Sequence, residues 1–173
     1  MEKIVGTQND PKSTERPQTA VSNSEKEGIP SNAIGSAHGQ FLAIFCQLQA
    51  FVPGTQATSV EHKPNHGDVA LENLEGLENV NVILGAALDV LPKLAEQGRL
   101  FDFVCIDASW EERREYFDWA VNLTRKKGSF FVGNAVRPLT ESEDDNPMGR
   151  ALVEFVSKDK RVDGTDDTDP QHV

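Results

Sequence analysis

Two acids and one amide follow apolar runs that have the composition of β-strands. Glu61 ends the segment QATSVE, Asp107 ends FDFVCID, and Asn134 comes after SFFV with Gly133 between. A carboxylate at the end of a parallel strand can accept both hydroxyls of a ribose, which is one role open to Glu61. The other role is that of a solvated acid in a loop. The residue type and position leave both roles open.

Asp107 and Asn134 carry the two other oxygen donors of this set. Asp107 is a candidate metal ligand or hydrogen-bond acceptor for a cationic group, and the alternative is the N-cap of a helix over 110–124. Asn134 could give its carbonyl oxygen to a hard cation such as Mg²⁺, and the alternative is a turn residue beside Gly133. Two oxygen ligands at neighbouring strand ends suggest a metal site.

Other chemical signatures are missing from the chain. His62 and His66 lie four residues apart, but Pro64 between them breaks any helix through both, so they do not form an HExxH motif. There is no GxSxG, CxxC or GxxxxGK[ST] pattern, and no two glycines lie two residues apart. A nucleotide-binding fold of alternating strands and helices normally has a glycine-rich turn after its first strand, and this turn is absent.

Strands and helices alternate along the middle of the chain, and this order must position the candidate residues. The predicted strands are 56–61, 80–84, 101–107 and 129–132, and the predicted helices are 38–50, 65–74, 87–96, 111–124 and 148–156. This alternation predicts an α/β fold with a Rossmann-like, doubly wound and mostly parallel sheet. Ligands of such sheets lie beyond the carboxyl ends of the strands, which adds Gly85 and Ala86 to the candidates.

Composition limits the partners and the domain organisation. The 173 residues predict one domain over 17–162, a disordered segment over 1–16 and a disordered acidic tail over 163–173. The net charge of −11 argues against nucleic acid and against an anionic membrane surface. No apolar run reaches membrane-spanning length and no secretion signal is visible, so we expect a cytoplasmic protein without a membrane anchor. Cys46 and Cys105 lie in apolar runs and are predicted to be buried, reduced thiols.

From about residue 17 to 162 the chain resembles the cation-dependent S-adenosylmethionine O-methyltransferases of the caffeoyl-CoA and catechol type. The resemblance lies in an opening segment from Gly28-Ile29-Pro30 to Gly39-Gln40-Phe41-Leu42, and in the stretches TSVEHKPNHGDVALENL, VILGAALDVLPKL, FDFVCIDA and YFDWAVNLTRKKGSFFVGNAVR. These follow one another in the family's order and at its spacing.

The resemblance implies a role for each candidate residue. Glu61 would bind the ribose of S-adenosylmethionine, and Gly85 and Ala86 would approach its adenine. Asp107 would be a metal ligand near the transferred methyl group, and Asn134 would complete the site of a divalent cation such as Mg²⁺. The implied acceptor is a hydroxyl of a small, catechol-like molecule, and a homodimer is possible.

The chain departs from the family at four places. The opening strand and its glycine-rich turn are missing near residue 50, and the family's last two strands are missing after Val162. Gly133 replaces the Asp of an Asp-Asn metal pair, and Trp110 replaces a common Lys. We therefore expect weak or lost binding of the cofactor and the cation, and impaired methyl transfer. The alternative is a catalytically inactive remnant or splice form that acts as a partner-binding protein.

The missing strand would lie at the centre of the family's sheet. Its loss leaves two possible repairs. Either the strands at 56–61 and 101–107 pair directly, or part of 41–50 replaces the missing strand.

Overall fold

The computed structural model describes residues 12–30, 39, 41–42, 55–109, 111–133 and 147–163. Its elements in chain order are α1 Lys12–Lys26, β1 Ala57–Glu61, α2 Pro64–Asn73, β2 Val80–Leu84, α3 Ala87–Glu96, β3 Phe101–Ile106, α4 Arg113–Leu123, β4 Thr124–Val132 and α5 Pro147–Ser157. The predicted alternation of strands and helices is confirmed, and β2 and α3 have the predicted bounds.

The described strands form two parallel pairs. β1 pairs with β2 from Ala57 opposite Val80 to Glu61 opposite Leu84, and β3 pairs with β4 up to Ile106 opposite Val132. Parallel neighbours need a crossover connection, and the helices α2 and α4 supply it. The predicted direct pairing of the strands at 56–61 and 101–107 is wrong, because these described strands belong to separate two-stranded sheets. The other repair concerns 41–50, of which only Phe41 and Leu42 are described, both helical.

Contacts divide the chain into two compact units, residues 1–90 and 91–173. In the first unit α2 packs against β2 so closely that a Cβ on Gly67 would lie 2.0 Å from Leu84 Cδ2. α1 lies against α2, and Asn23 Nδ2 donates a hydrogen bond of 2.9 Å to Asn73 Oδ1. Val69 is buried in this unit. The domain bounds 17 and 162 stay predictions.

The core of the second unit is built around Phe117, which is fully buried. Its ring packs edge-to-face against Phe130 of β4 and Phe155 of α5, with ring centres 5.4 and 5.7 Å apart. Ile106 and Leu152 are buried as well. α4 therefore covers the β3–β4 pair with an apolar face, and β3 and β4 can hold the residues at their ends in place.

Three local features differ from the sequence prediction. α1 begins at Lys12, before the expected boundary at 17. β4 begins at Thr124, directly after α4, whereas a helix was predicted to continue to 124 and the strand to begin at Ser129. Lys127 adopts a φ of 69°, so the chain turns within β4, and the pairing shifts between Phe101 and Phe103.

Cys105 is exposed, so the prediction that both cysteines are buried is wrong for this residue. Along β3 the side chains of Asp102 and Cys105 are both exposed, while Ile106 is buried. The strand is therefore not buried on both faces, although its sequence is a nearly continuous apolar run. Cys46 lies outside the described residues. Within the described part of the chain, no helix combines the length and the apolar character needed to span a membrane.

Candidate functional site

Glu61 lies where β1 ends and α2 is about to begin. Its Oε1 accepts a hydrogen bond of 3.0 Å from the backbone N–H of Lys63, and its side chain is 31% exposed. The N-terminus of α2, at Pro64, carries a partial positive charge that favours a carboxylate. Glu61 is thus a fixed yet accessible hydrogen-bond acceptor.

Two histidines flank this carboxylate. His62 Nδ1 lies 3.7 Å and His66 Nδ1 3.9 Å from its oxygens, which is too far for a direct hydrogen bond but within ion-pair range if the rings are protonated. His66 lies inside α2 and His62 before it, because the helix begins at Pro64. Among the described residues, no group of three or more His, Cys, Asp or Glu side chains has a metal-binding arrangement.

Gly85 and Ala86 lie beside Glu61, as predicted from their place after β2. The Gly85 N–H donates a hydrogen bond of 2.9 Å to the Glu61 carbonyl oxygen. Gly85 has a φ of 154°, and a Cβ there would lie 3.0 Å from Val90 Cγ2, so the position favours glycine. Ala86 is exposed, and its carbonyl oxygen accepts the first N–H bonds of α3. The first unit therefore brings together Glu61, Gly85 and Ala86.

Asp107 and Gly133 meet at the corresponding end of the β3–β4 pair. The Gly133 N–H donates a hydrogen bond of 2.9 Å to the Ile106 carbonyl oxygen. A Cβ on Gly133 would lie 3.1 Å from Asp107 Oδ1. Asp107 is exposed and is not an N-cap, because α4 begins at Arg113 with Glu112 before it. The alternative structural role for Asp107 is thus wrong.

Arg113 belongs to the same end of the second unit, and the sequence analysis missed it. Its side chain is 3% exposed. Nη1 donates a hydrogen bond to the Gly133 carbonyl oxygen, and Nη2 donates a longer one, 3.4 Å, to the Ala108 carbonyl oxygen. Burial lowers the pKa of Arg113, and the negative charge of Asp107 partly opposes this.

A signal for Arg113 was present in the sequence. Positions 113, 116, 117 and 120 follow the spacing of one helix face, and all four are buried. An arginine at the first of these positions has its charged side chain on the buried face, in the first turn of the helix. Apolar residues of this face were predicted to be buried, and Arg113 lies on the same face.

A second polar group anchors the loop between Asp107 and α4. The hydroxyls of Ser109 and Tyr116 both donate hydrogen bonds to Glu112 Oε2, the serine at 3.0 Å. Burial, together with the bond to Glu112, raises the pKa of Tyr116. Trp110, in this loop, and Asn134, the second predicted metal ligand, lie outside the described residues.

The described residues around Asp107 do not fit a divalent cation. Mg²⁺ in proteins is usually bound through one or two carboxylates together with waters and substrate oxygens. Here Asp107 offers one carboxylate, Gly133 offers no side chain, and the guanidinium of Arg113 adds a positive charge. The described donors therefore give too little net negative charge to hold such a cation.

Comparison with known proteins shows the family of this chain. A family model described as a methyltransferase domain matches residues 33–135. The O-methyltransferase imqG of Aspergillus flavus is 31% identical over 179 aligned positions, which take up 83% of this chain and 72% of that protein. A catechol O-methyltransferase of Mycobacterium tuberculosis is 35% identical over 120 positions, 65% of this chain and 54% of its own length.

Solved structures agree with this assignment. The cofactor-bound structure of Rv0187 from MTB superposes with a TM-score of 0.76 at 28% identity, over 91% of this chain and 82% of that one. An O-methyltransferase of Bacillus cereus in complex with SAH gives a TM-score of 0.75 at 22% identity, over 90% and 83%, and supports the fold. The chain therefore belongs to the O-methyltransferases of the Rossmann-like methyltransferase fold, which confirms the family that the sequence predicted.

Proposed function

We propose that this protein binds S-adenosylmethionine and transfers its methyl group to a hydroxyl of a small, catechol-like molecule. The observation that carries the proposal is the strand end at Glu61. There an accessible carboxylate lies beside the backbone of Gly85, with the hydrogen bonds described above. A carboxylate in this place can accept both ribose hydroxyls, and the adjacent glycine leaves room for a flat adenine. The match to a methyltransferase domain and the likeness to an O-methyltransferase support a methyl-donor cofactor.

The reaction needs position more than it needs a reactive protein group. The hydroxyl oxygen forms a bond to the methyl carbon while the bond from that carbon to the sulfonium sulfur breaks, and the electron pair stays on sulfur. The products are S-adenosylhomocysteine, a methyl ether and the proton lost by the hydroxyl. Glu61 would hold the cofactor by its ribose, and the exposed Asp107 would orient the hydroxyl and accept its proton.

Impaired turnover is part of the proposal, and two observations support it. The chain lacks a glycine-rich turn, whose N–H groups would otherwise bind the cofactor. The alignment with the A. flavus protein is longer than the 173 residues of this chain but uses only 83% of them, so part of that protein has no counterpart here. The predicted cation has the least support, because the described donors around Asp107 do not fit it.

Calorimetric titration of the full chain with S-adenosylhomocysteine tests the proposal. We expect binding that is weakened at least about tenfold by Glu61→Gln, because hydrogen bonds to a charged acceptor contribute about 1.5–3 kcal/mol. Glu72→Gln, an exposed acid on α2, is the matched control and should leave binding unchanged.

Methyl transfer from labelled S-adenosylmethionine to a catechol, with and without EDTA, gives the second measurement. Slow transfer would support impaired catalysis. A folded protein that neither binds S-adenosylhomocysteine nor transfers a methyl group would overturn the proposal in favour of the inactive remnant. The homodimer and the cytoplasmic location stay predictions, and light scattering of the purified protein tests the first.

A further inference from the structure

We propose that the side chain of Arg113 supplies the fixed positive charge at Asp107, so that this site works without a bound divalent cation. The inference rests on the proposed function for its catalytic meaning, but the charge arrangement itself can be tested separately. Arg113 acts here as a positioning residue. Because only 3% of its surface is exposed, Arg113 cannot contact the methyl acceptor. It acts instead on the Asp107 carboxylate and on the ends of β3 and β4.

The guanidinium of Arg113 lies at the ends of β3 and β4. Arg113 donates hydrogen bonds to the carbonyl oxygens of Gly133, which directly follows β4, and of Ala108, the second residue after β3. One side chain thus connects the ends of both strands, next to Asp107. Carbonyl oxygens that accept from a guanidinium are less available as ligands for a metal ion.

A second feature is the charge balance. Arginine stays protonated even when buried, so a buried Arg113 needs a negative partner, and Asp107 is the acid whose charge acts on it. Asp107 and Arg113 together carry no net charge. A divalent cation placed at Asp107 would meet one carboxylate and would be repelled by the guanidinium.

A third feature is the absence of a side chain at Gly133. A side chain here would begin 3.1 Å from Asp107 Oδ1, so an acid at this position would place a second negative charge against the first. Two acids would balance both Arg113 and part of the charge of a metal ion. With glycine, the described residues place one acid, Asp107, at this strand end, and Arg113 balances its charge. Gly133 and the buried Arg113 are therefore both consistent with a site in which the Arg113 guanidinium supplies the positive charge that a metal ion would otherwise supply.

Manganese(II) binding to the full chain, followed by electron paramagnetic resonance, tests the inference directly. The wild-type protein should show no binding at Asp107 up to millimolar manganese(II). Arg113→Met should bind manganese(II) at least about tenfold more tightly, since it removes the repelling charge. The matched control is Arg114→Met, because Arg114 is the exposed neighbour whose guanidinium lies 4.2 Å from the centre of the Phe155 ring.

Two further variants separate the charge from a structural role. Arg113→Lys keeps the charge and should bind manganese(II) as poorly as the wild type, although it loses the paired donors. Arg113→Gln removes the charge but keeps an amide donor for the Gly133 carbonyl oxygen, and it serves if Arg113→Met fails to fold. Under a purely structural role, Arg113→Lys would instead behave like the methionine variant.

Other outcomes would overturn the inference. One is tight manganese(II) binding by the wild type that is lost in Asp107→Asn. The other is that no folded neutral variant of Arg113 gains affinity. Neither result depends on the cofactor, so a failure of S-adenosylhomocysteine binding would count against the proposed function and leave this inference standing.

Discussion

Gly133 decides how much negative charge can gather beside Asp107. Its backbone does not need a glycine, because its φ lies outside the left-handed region. A Cβ on Gly133 would lie 3.1 Å from Asp107 Oδ1. The Asp107 carboxylate is exposed and able to move aside. A larger residue is therefore tolerable at this position, and its charge would act directly on Asp107.

Gly133→Asp should raise the affinity for manganese(II) by at least about tenfold over the wild type. The reason is that two adjacent carboxylates attract a divalent cation much more strongly than one. Electron paramagnetic resonance titration measures the change, and Gly133→Asn is the control of equal size without the charge. Equal affinities in these two variants would show that charge at this position is not what limits metal binding.

Tyr116 is the single tyrosine of the chain, so its ionisation can be measured without interference. Burial and the bond to Glu112 raise its pKa, so the ultraviolet absorbance of tyrosinate should appear above pH 10 in the folded protein. The folded state then holds the phenolic proton more firmly than the unfolded state. The stability contributed is complete below the unfolded pKa and is lost as the pH rises through the folded one.

Glu112→Gln should move the Tyr116 titration midpoint downward, because it removes the negative charge that disfavours tyrosinate. Glu111→Gln, an exposed neighbour, should leave the midpoint where it is. An unchanged midpoint in Glu112→Gln would mean that Glu112 does not contribute to the raised pKa of Tyr116.

Among the secondary-structure elements, hydrophobic periodicity was enough to predict the bounds of those whose ends are marked by turn residues. β2 and α3 agree with prediction because Gly85 separates them and Gly98 ends the helix with a φ of 68°. β4 could not be predicted in full. Its first part contains four polar residues, TRKK, that look like a helix end, and Arg125 forms an ion pair with Asp102 on β3. Such a tertiary contact leaves no local pattern.

The candidate site, like the elements, could be predicted from the sequence only in part. The positions of Glu61, Gly85 and Asp107 at or just after strand ends could be predicted, because that prediction needs only the strand bounds, and ligands of such sheets lie beyond the carboxyl ends of the strands. The neighbours that set the electrostatics were not found in this way. Arg113 reaches Gly133 across 20 positions of the sequence, and this contact depends on how α4 packs on the β3–β4 pair.

Phe117→Ala should be the most destabilising single change among those in α4. The ring is fully buried between Phe130 and Phe155, and removing such a ring costs about 3–5 kcal/mol of unfolding free energy. Urea unfolding followed by tryptophan fluorescence measures this, since Trp119 lies on the same helix. Asn122→Ala, exposed on α4, should cost less than about 0.5 kcal/mol. A similar small cost for both variants would mean that α4 does not hold the second unit together.

For the whole molecule, the proposed function raises the question of how a chain whose sequence contains no glycine-rich turn would bind the cofactor. The family match extends over 33–135, and the Rv0187 structure is similar over 91% of this chain. The absence of this turn from the sequence would affect binding more than folding, because a glycine-rich turn presents backbone N–H groups to a ligand. Glu61 and Gly85, the residues proposed for the ribose and the adenine, lie next to each other at the ends of β1 and β2.

Restoring the missing segment should therefore restore affinity. We expect that inserting after Ala50 a strand and glycine-rich turn taken from an O-methyltransferase relative will tighten S-adenosylhomocysteine binding about tenfold or more. Two or three regained N–H hydrogen bonds contribute about 0.5–1.5 kcal/mol each, which is enough for this change. The control insertion is a Gly-Ser segment of the same length, which lengthens the chain without supplying a strand.

The effect of Glu61→Gln in the restored protein completes the test. If the ribose and the restored turn are two ends of one cofactor site, the substitution should still weaken S-adenosylhomocysteine binding at least about tenfold. A restored protein that folds but binds no better than the Gly-Ser control would show that the missing segment does not limit affinity. The cause would then lie in residues present in the chain, with Gly133 and Arg113 the first to examine because they set the charge at Asp107.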